Sequence, residues 1–198
     1  KDGEPESIAY ELLGVGRELA DARGTTLSAV IIGSNLDDAC KKLIAKGADK
    51  VFVVDDEGLE KFNDESYSSI FTQLIYKNKP EIVLLGATTY GRSLAPRVAS
   101  RINTGLTADC TKLEIDPADG KLLQTRPAFG GNLMATIICP NHRPQMATVR
   151  HKVMKEMEAD ETRTGEIIRP DVKIPRDLVV KVKDIVKTIT EMVPLTEA

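Results

Sequence analysis

Ile82-Val83-Leu84-Leu85-Gly86-Ala87-Thr88-Thr89-Tyr90-Gly91-Arg92-Ser93-Leu94-Ala95-Pro96-Arg97-Val98 carries the grammar of the whole fold in one stretch. Lys79-Pro80 stops whatever precedes it, and the four aliphatic residues Ile82 to Leu85 read as a buried strand. A glycine-permitted turn follows. After Gly91, Leu94, Val98 and Ile102 recur at i, i+4 and i+8, which predicts a helix ending near Gly105. Pro96 fits that helix only within its first turn, where no N–H is required. A buried strand feeding directly into a helix is one βα unit.

Outward toward the N-terminus the same unit repeats. Ile8, Leu12, Val15 and Leu19 share one helical face over Ile8 to Ala22, and Gly24 ends that helix. Thr26 to Gly33 reads as a strand, Asn35 as the cap of a helix over Leu36 to Lys46 closed by Gly47, and Val51 to Val54 as the next strand. A third helix is expected near Ser66 to Tyr76. This alternation predicts an α/β domain with a mainly parallel sheet and helices on both faces. Beyond Gly105 the pattern changes. Thr111 to Ile115, Lys121 to Ala128, Asn132 to Cys139 and Gln145 to Arg150 are strand-like and separated by turn sequences, so a mixed or antiparallel region is expected. Lys155 to Glu166 reads as a charged surface excursion, and Leu178 to Ile189 as a strand followed by a turn of helix.

Composition agrees with a helix-covered sheet. The 198 residues include 4 Phe, 4 Tyr and no Trp, so the core must be filled by aliphatic side chains. A net charge of -3 speaks against a nucleic-acid surface. No apolar run approaches the roughly 20 residues that cross a bilayer, so no membrane association is expected. The default expectation is a soluble cytoplasmic protein, and an opening without Met or an apolar h-region reads as a fragment rather than a signal peptide. Cys40, Cys110 and Cys139 form no CxxC pair and read as reduced thiols.

Two motifs invite chemistry. Gly86 to Ser93 has P-loop spacing between a strand and a helix, but Arg92 stands where the lysine belongs, and a guanidinium does not replace that compact ammonium. Three readings stay open: a phosphate loop, a strand-to-helix turn, or a loop lining a ligand crevice or partner surface at a strand's carboxyl end. The second motif is Arg126-Pro127-Ala128-Phe129-Gly130-Gly131-Asn132. Its glycines permit close backbone approach, Asn132 offers a donor and an acceptor, and Arg126 is a fixed positive charge suited to a ring that gains negative charge. A plain hairpin turn with an exposed arginine has the same sequence. His142 and His151 have no nucleophile nearby, no metal-ligand spacing occurs, and no catalytic constellation is found.

Taken in order, Gly86 to Ala99, Thr107-Ala108-Asp109, Arg126 to Asn132 and Gln145-Met146-Ala147-Thr148-Val149-Arg150 strongly resemble the amino-terminal domain of electron transfer flavoprotein alpha subunits, in the form found in bacteria, including electron-bifurcating anaerobes. The resemblance runs from about Ser7 to Lys187. It implies a Rossmann-like domain of the adenine-nucleotide-hydrolase type over residues 1–198. Family members begin with an apolar strand ahead of Lys1-Asp2-Gly3, and their FAD-binding carboxyl-terminal domain would start after Ala198; neither is in this sequence.

The resemblance also implies an electron carrier rather than a catalyst with its own active site. In the family, electrons pass from NADH or an acyl-CoA dehydrogenase or similar flavoprotein dehydrogenase through FAD to another flavoprotein. The implied partner is a beta subunit that holds AMP or, in bifurcating forms, a second FAD. Arg126 is then the charge expected nearest that ring, with Phe129, Gly130, Gly131 and Asn132 shaping the contact and Thr88 and Tyr90 adding to it from the neighbouring loop. Three rivals are a subunit salt bridge for Arg126, a stand-alone ATP-binding domain of the universal-stress type, and a pure docking scaffold.

Overall fold

The structure, a computed structural model, describes residues 3–128, 130 and 132–183. Its elements follow in the order α1 (Ser7–Ala22), β1 (Ser28–Gly33), α2 (Asp37–Ala45), β2 (Lys50–Asp55), α3 (Asp64–Asn78), β3 (Ile82–Gly86), α4 (Thr89–Arg101), β4 (Leu106–Cys110), β5 (Lys112–Ile115), β6 (Leu122–Pro127), β7 (Met134–Ile137), β8 (Gln145–Val149) and β9 (Glu166–Ile168). Strands β1-β2-β9 form one parallel sheet and β3-β8-β4 another, while β5-β6-β7 form an antiparallel sheet. The expected α/β architecture with a mixed region is the one observed.

Among the described residues the apolar core divides by sheet. Leu13, Cys40, Leu43, Val51 and Val53 pack on one face of the first sheet, and Val54, Leu59, Ile70 and Leu74 on the other. Val15, Leu19, Leu122, Ala147 and Val149 cover one face of the second sheet, and Ile75, Val83, Val98 and Met146 the other. Helix α1 supplies Leu13 to one sheet and Val15 and Leu19 to the other. Helix α3 does the same with Leu74 and Ile75.

Local departures from the expected elements have identifiable causes. Asn35 is not the cap of α2: it sits at φ 60, and Asp55 at the end of β2 accepts the N–H groups of Asn35 and Leu36 at 2.8 Å each. Helix α4 begins at Thr89, so Pro96 lies inside the helix rather than in its first turn. Pro96 is exposed, on the outer side of the helix, and having no N–H it leaves the Arg92 carbonyl without its i+4 donor. Strand β4 was not expected, and β9 lies at the end of the stretch read as a surface excursion. The expected strand at Leu178 to Val182 is absent: Val179 is 90% exposed. The helical turn expected beyond it lies outside the described residues.

Two carboxylates, the buried Glu11 and the half-buried Asp49, organise backbone rather than chemistry. Glu11 on α1 accepts Lys152 N at 2.9 Å and Val153 N and Met154 N at 3.2 Å, tying down the loop that leaves β8. Asp49 accepts Leu27 N at 2.8 Å, Arg17 Nη1 at 2.7 Å and Arg163 Nη2 at 2.6 Å. Burial alone would raise the Asp49 carboxyl. The Leu27 N–H and the two guanidinium groups outweigh it and hold the group below its ordinary value. Replacing Glu11 by Ala strands three backbone donors and is expected to cost roughly 3 kcal/mol in urea unfolding, with Gln losing about half as much. Because the folded value of Asp49 is depressed, its contribution is complete above the ordinary carboxylate value and is lost as pH falls through the folded one. Asp49→Asn is therefore expected to lower stability at neutral pH and to flatten the acid limb of a stability–pH curve below about pH 4.

Candidate functional site

The three strands of the second sheet end side by side, and their carboxyl edge gathers both motifs. Ala87 N donates to Val149 O at 2.7 Å, and Arg150 N donates to Cys110 O at 3.0 Å, so the ends of β3, β8 and β4 are closed to one another. On one side of this edge is the turn into α4. Thr88 is its N-cap, with its side-chain oxygen accepting Gly91 N at 3.0 Å. A Cβ on Gly91 would lie 1.9 Å from Gly86 O, so the second glycine of the P-loop-like spacing is there to let helix and strand close on each other.

Arg92 is not a free phosphate ligand. Its Nε donates to Ala87 O at 3.0 Å and its Nη2 lies 3.2 Å from Asp109 Oδ1. Asp109 reaches it through a local irregularity: the β4–β8 register shifts between Thr107 and Cys110, and Asp109 takes φ 59. Its N–H is held by Thr148 Oγ1 at 2.9 Å. A bulge of this kind re-aims one side chain beside a functional edge. The Thr107-Ala108-Asp109 motif thus has a structural meaning: it turns a carboxylate onto Arg92.

Arg126 comes to the same edge from the antiparallel sheet. Strand β6 runs back along β5, with Thr111 N donating to Thr125 O at 2.9 Å, so the end of β6 lies next to the end of β4. Arg126 is opposite Ala135 in the β6–β7 pair and is half-buried. It makes no ion pair or side-chain hydrogen bond among the described residues. Its charge is felt at the buried Cys110 thiol, which burial pushes up to about 11, against the opposing pull of Arg126 and with a further push from Asp109. Gly130 takes φ 84 in the hairpin tip, Asn132 is exposed, and Ala128 N donates to Leu133 O at 2.8 Å to close the turn. Phe129 and Gly131 lie outside the described residues. Beside the tip, Leu133, Met134, Ile137 and Ile138 are exposed along the edge strand β7.

Tyr90 is exposed at this edge, but its ring is engaged within the chain. Its ring stacks on Phe62 at 4.4 Å between centroids, and Phe62 meets Tyr67 edge-on at 4.8 Å. Burial raises the Tyr67 hydroxyl to about 12, and it donates to Leu59 O at 2.7 Å. Tyr90 thereby ties the first turn of α4 to the loop preceding α3. Sequence reasoning brought Thr88, Tyr90, Arg126 and the hairpin tip to one end of the molecule and missed Arg92–Asp109 and Phe62. Only the polar bulge motif hinted at the first, and nothing local at the second. Among the described residues no group of His, Cys, Asp and Glu is placed to hold a metal, and no helix is long and apolar enough to cross a membrane.

Comparison with known proteins agrees with these motifs. The family described as electron transfer flavoprotein domain matches residues 1–175. The electron transfer flavoprotein subunit alpha of Thermoanaerobacterium thermosaccharolyticum is 50% identical over 199 residues, covering all of this chain and 60% of that protein. Protein FixB of Clostridium saccharobutylicum is 45% identical, covering all of this chain and 59% of its own length. The acryloyl-CoA reductase electron transfer subunit beta of Anaerotignum propionicum is 39% identical over 223 residues, covering all of this chain and 61% of that protein. The chain thus spans about 60% of the length of the curated relatives it matches. With a matched domain over most of its length and the four motifs assembled at one carboxyl edge, the chain belongs to the electron transfer flavoprotein family, on its alpha-subunit side.

Proposed function

We propose that this chain is the part of an alpha subunit that docks a beta subunit and sets the electrostatics around a flavin held there. The observation that carries this reading is Arg126: a half-buried arginine with no ion pair among the described residues, near the end of the central strand β6 and paired to the exposed apolar strand β7. A protein that needed Arg126 for its own stability would pair it, as Asp49 pairs Arg17 and Arg163. The donors lie on a surface edge, which suits a planar ring presented by another chain. The aromatic rings nearby, Tyr90, Phe62 and Tyr67, are engaged with one another.

A flavin bound at the facing site supplies the one- and two-electron chemistry. What this chain supplies is a fixed charge. At a few ångströms and an effective dielectric near 20, a guanidinium favours added negative charge on such a ring by about 2 to 4 kcal/mol. The Arg92–Asp109 pair at the same edge is internally neutralised, whereas Arg126 has no ion-pair partner among the described residues. In this reading the complete heterodimer passes electrons from NADH or an acyl-CoA dehydrogenase-type flavoprotein through FAD to another flavoprotein. It bifurcates them where the beta subunit holds FAD rather than AMP. Two FAD per heterodimer supports the bifurcating form, and one FAD plus AMP the simple carrier.

Arg126→Ala in the full-length heterodimer is expected to make the beta-site flavin harder to reduce, with Arg126→Lys falling between the two. Unchanged potentials for both one-electron steps would remove Arg126 from this role. Met134→Asp, on the exposed edge of β7, is expected to weaken subunit association by roughly 1 to 3 kcal/mol in titration while leaving the melting of the alpha chain unchanged.

A further inference from the structure

Past β9 the chain runs from Arg169 to Lys183 without helix or strand, yet it is not loose. From Asp171 to Val180 no backbone group pairs with another backbone group among the described residues. Side chains hold it instead. Gln73 on α3 accepts Lys173 N and donates to Lys173 O, both at 2.9 Å, as a neighbouring strand would. Arg176 meets Asp56 through two nitrogens, at 2.8 and 2.6 Å, and Val179 N donates to Glu65 Oε2 at 3.0 Å. Asn63 Nδ2 donates to Val180 O at 2.7 Å. All four of these clasping side chains come from one stretch of chain, Asp56 to Gln73.

Such a seat is easy to leave. Val172 and Ile174 pack against Val54, Leu59, Ile70 and Leu74 but stay half-buried, and Val179, Val180 and Val182 are exposed. Few buried apolar contacts and solvent-exposed hydrogen bonds mark a segment that opens well below the cost of global unfolding. The surface beneath has bonds of its own that do not involve the segment. Asp56 also accepts Gly58 N at 2.8 Å, Asn63 Oδ1 caps α3 through Glu65 N and Ser66 N, and Leu59 O accepts the Tyr67 hydroxyl. The seat therefore persists when the segment is away, and two arrangements of one chain are available.

Seat and site share a loop. Asp56 and Asn63, each clasped to the segment, stand at its two ends, and Phe62 lies within it. Phe62 is the ring on which Tyr90 stacks, and Tyr90 belongs to the first turn of α4, where Thr88 holds Gly91 N and Arg92 N. We propose that residues 171–180 form a strap that lifts and reseats as one unit, and that its seating governs the order of the first turn of α4 through Phe62 and Tyr90. With the strap down, the loop is pinned at both ends and the ring pair steadies the turn. With the strap up, the ring pair loses its fixed base and the turn loosens. The carboxyl edge thereby reads the state of a segment outside the sheet. The proposal concerns contacts within the chain and does not rest on the heterodimer reading.

The test is amide hydrogen exchange on the full-length protein, under conditions where the rate reports the opening equilibrium, read at Val179, at Gly91 and Arg92, and in β8. Gln73→Ala/Arg176→Ala removes two clasps and leaves the acceptor of Val179 in place. It is expected to speed exchange at Val179 by roughly tenfold or more and at Gly91 and Arg92 severalfold, with Met146 to Val149 unchanged. In a Tyr90→Leu background Val179 is expected to respond as before, while Gly91 and Arg92 become indifferent to the strap. The substituted positions are half-buried or exposed. Should the double variant nevertheless fail to fold, Arg176→Lys, which keeps the charge and loses the fork, is expected to give the same pattern in smaller measure. An unchanged Val179 rate shows that the strap does not move as a unit, and unchanged Gly91 and Arg92 rates show that the edge does not read it; either overturns the proposal. So does an equal rise in β8, which would mean general destabilisation, or a response at Gly91 and Arg92 that survives Tyr90→Leu.

Discussion

Five consecutive buried residues, Gln145-Met146-Ala147-Thr148-Val149, hold the candidate site together. Strand β8 lies between β3 and β4, strands from which it is separated in sequence by the whole antiparallel excursion. Burying a backbone on both faces and both edges requires every one of its polar groups to be paired, and the pairing is used twice. Within the sheet it makes the parallel ladder. At the carboxyl end its carbonyl at Val149 holds Ala87, and its Thr148 hydroxyl holds Asp109, so both loops of the site are fastened to one strand. Gln145 serves at the other end, where its Oε1 accepts Leu122 N at 2.9 Å and joins the antiparallel sheet to the parallel one.

Charge at this edge is arranged by contrast. Arg92 is spent on Ala87 O and Asp109, and it stiffens the turn into α4. Arg126, a short way along, is left with its charge uncompensated by any described side chain. Other half-buried guanidinium groups, those of Arg17 and Arg163, are paired with Asp49, which also holds the Leu27 backbone. The difference between a structural and an available guanidinium is thus visible within one molecule, without reference to any other.

How much of this could be read from sequence depended on the range of the interaction. Helices α1 to α4 and strands β1 to β3 were legible because each is announced by its own periodicity and its own stop signals. Strand β4 was not, since Leu106-Thr107-Ala108-Asp109-Cys110 mixes polar and apolar residues and owes its extended form to β8. Strand β9 is three residues paired to β2 across more than a hundred positions, a contact that no local pattern encodes. The same holds for the site. The glycines, Thr88 and Arg126 were visible as motifs, whereas Asp109 acquires its role only when a bulge turns it toward Arg92. Tyr90, read from its position in the loop, proved to be engaged with Phe62, a partner that only the folded chain brings near.

The division of the core by sheet has a consequence for how the molecule breathes. Each sheet carries its own pair of apolar clusters, and α1 and α3 are the elements whose side chains enter both. At the carboxyl edge the Phe62–Tyr90 stack adds a further tie between the loop after β2 and the start of α4. The two sheets are coupled through two helices, one ring pair and the connection from β8 to β9, whose Met157 O accepts Lys46 Nζ at 2.9 Å, and local opening of either costs less than global unfolding. Amide exchange in β3, β8 and β4 is then governed by one opening event and that in β1 and β2 by another.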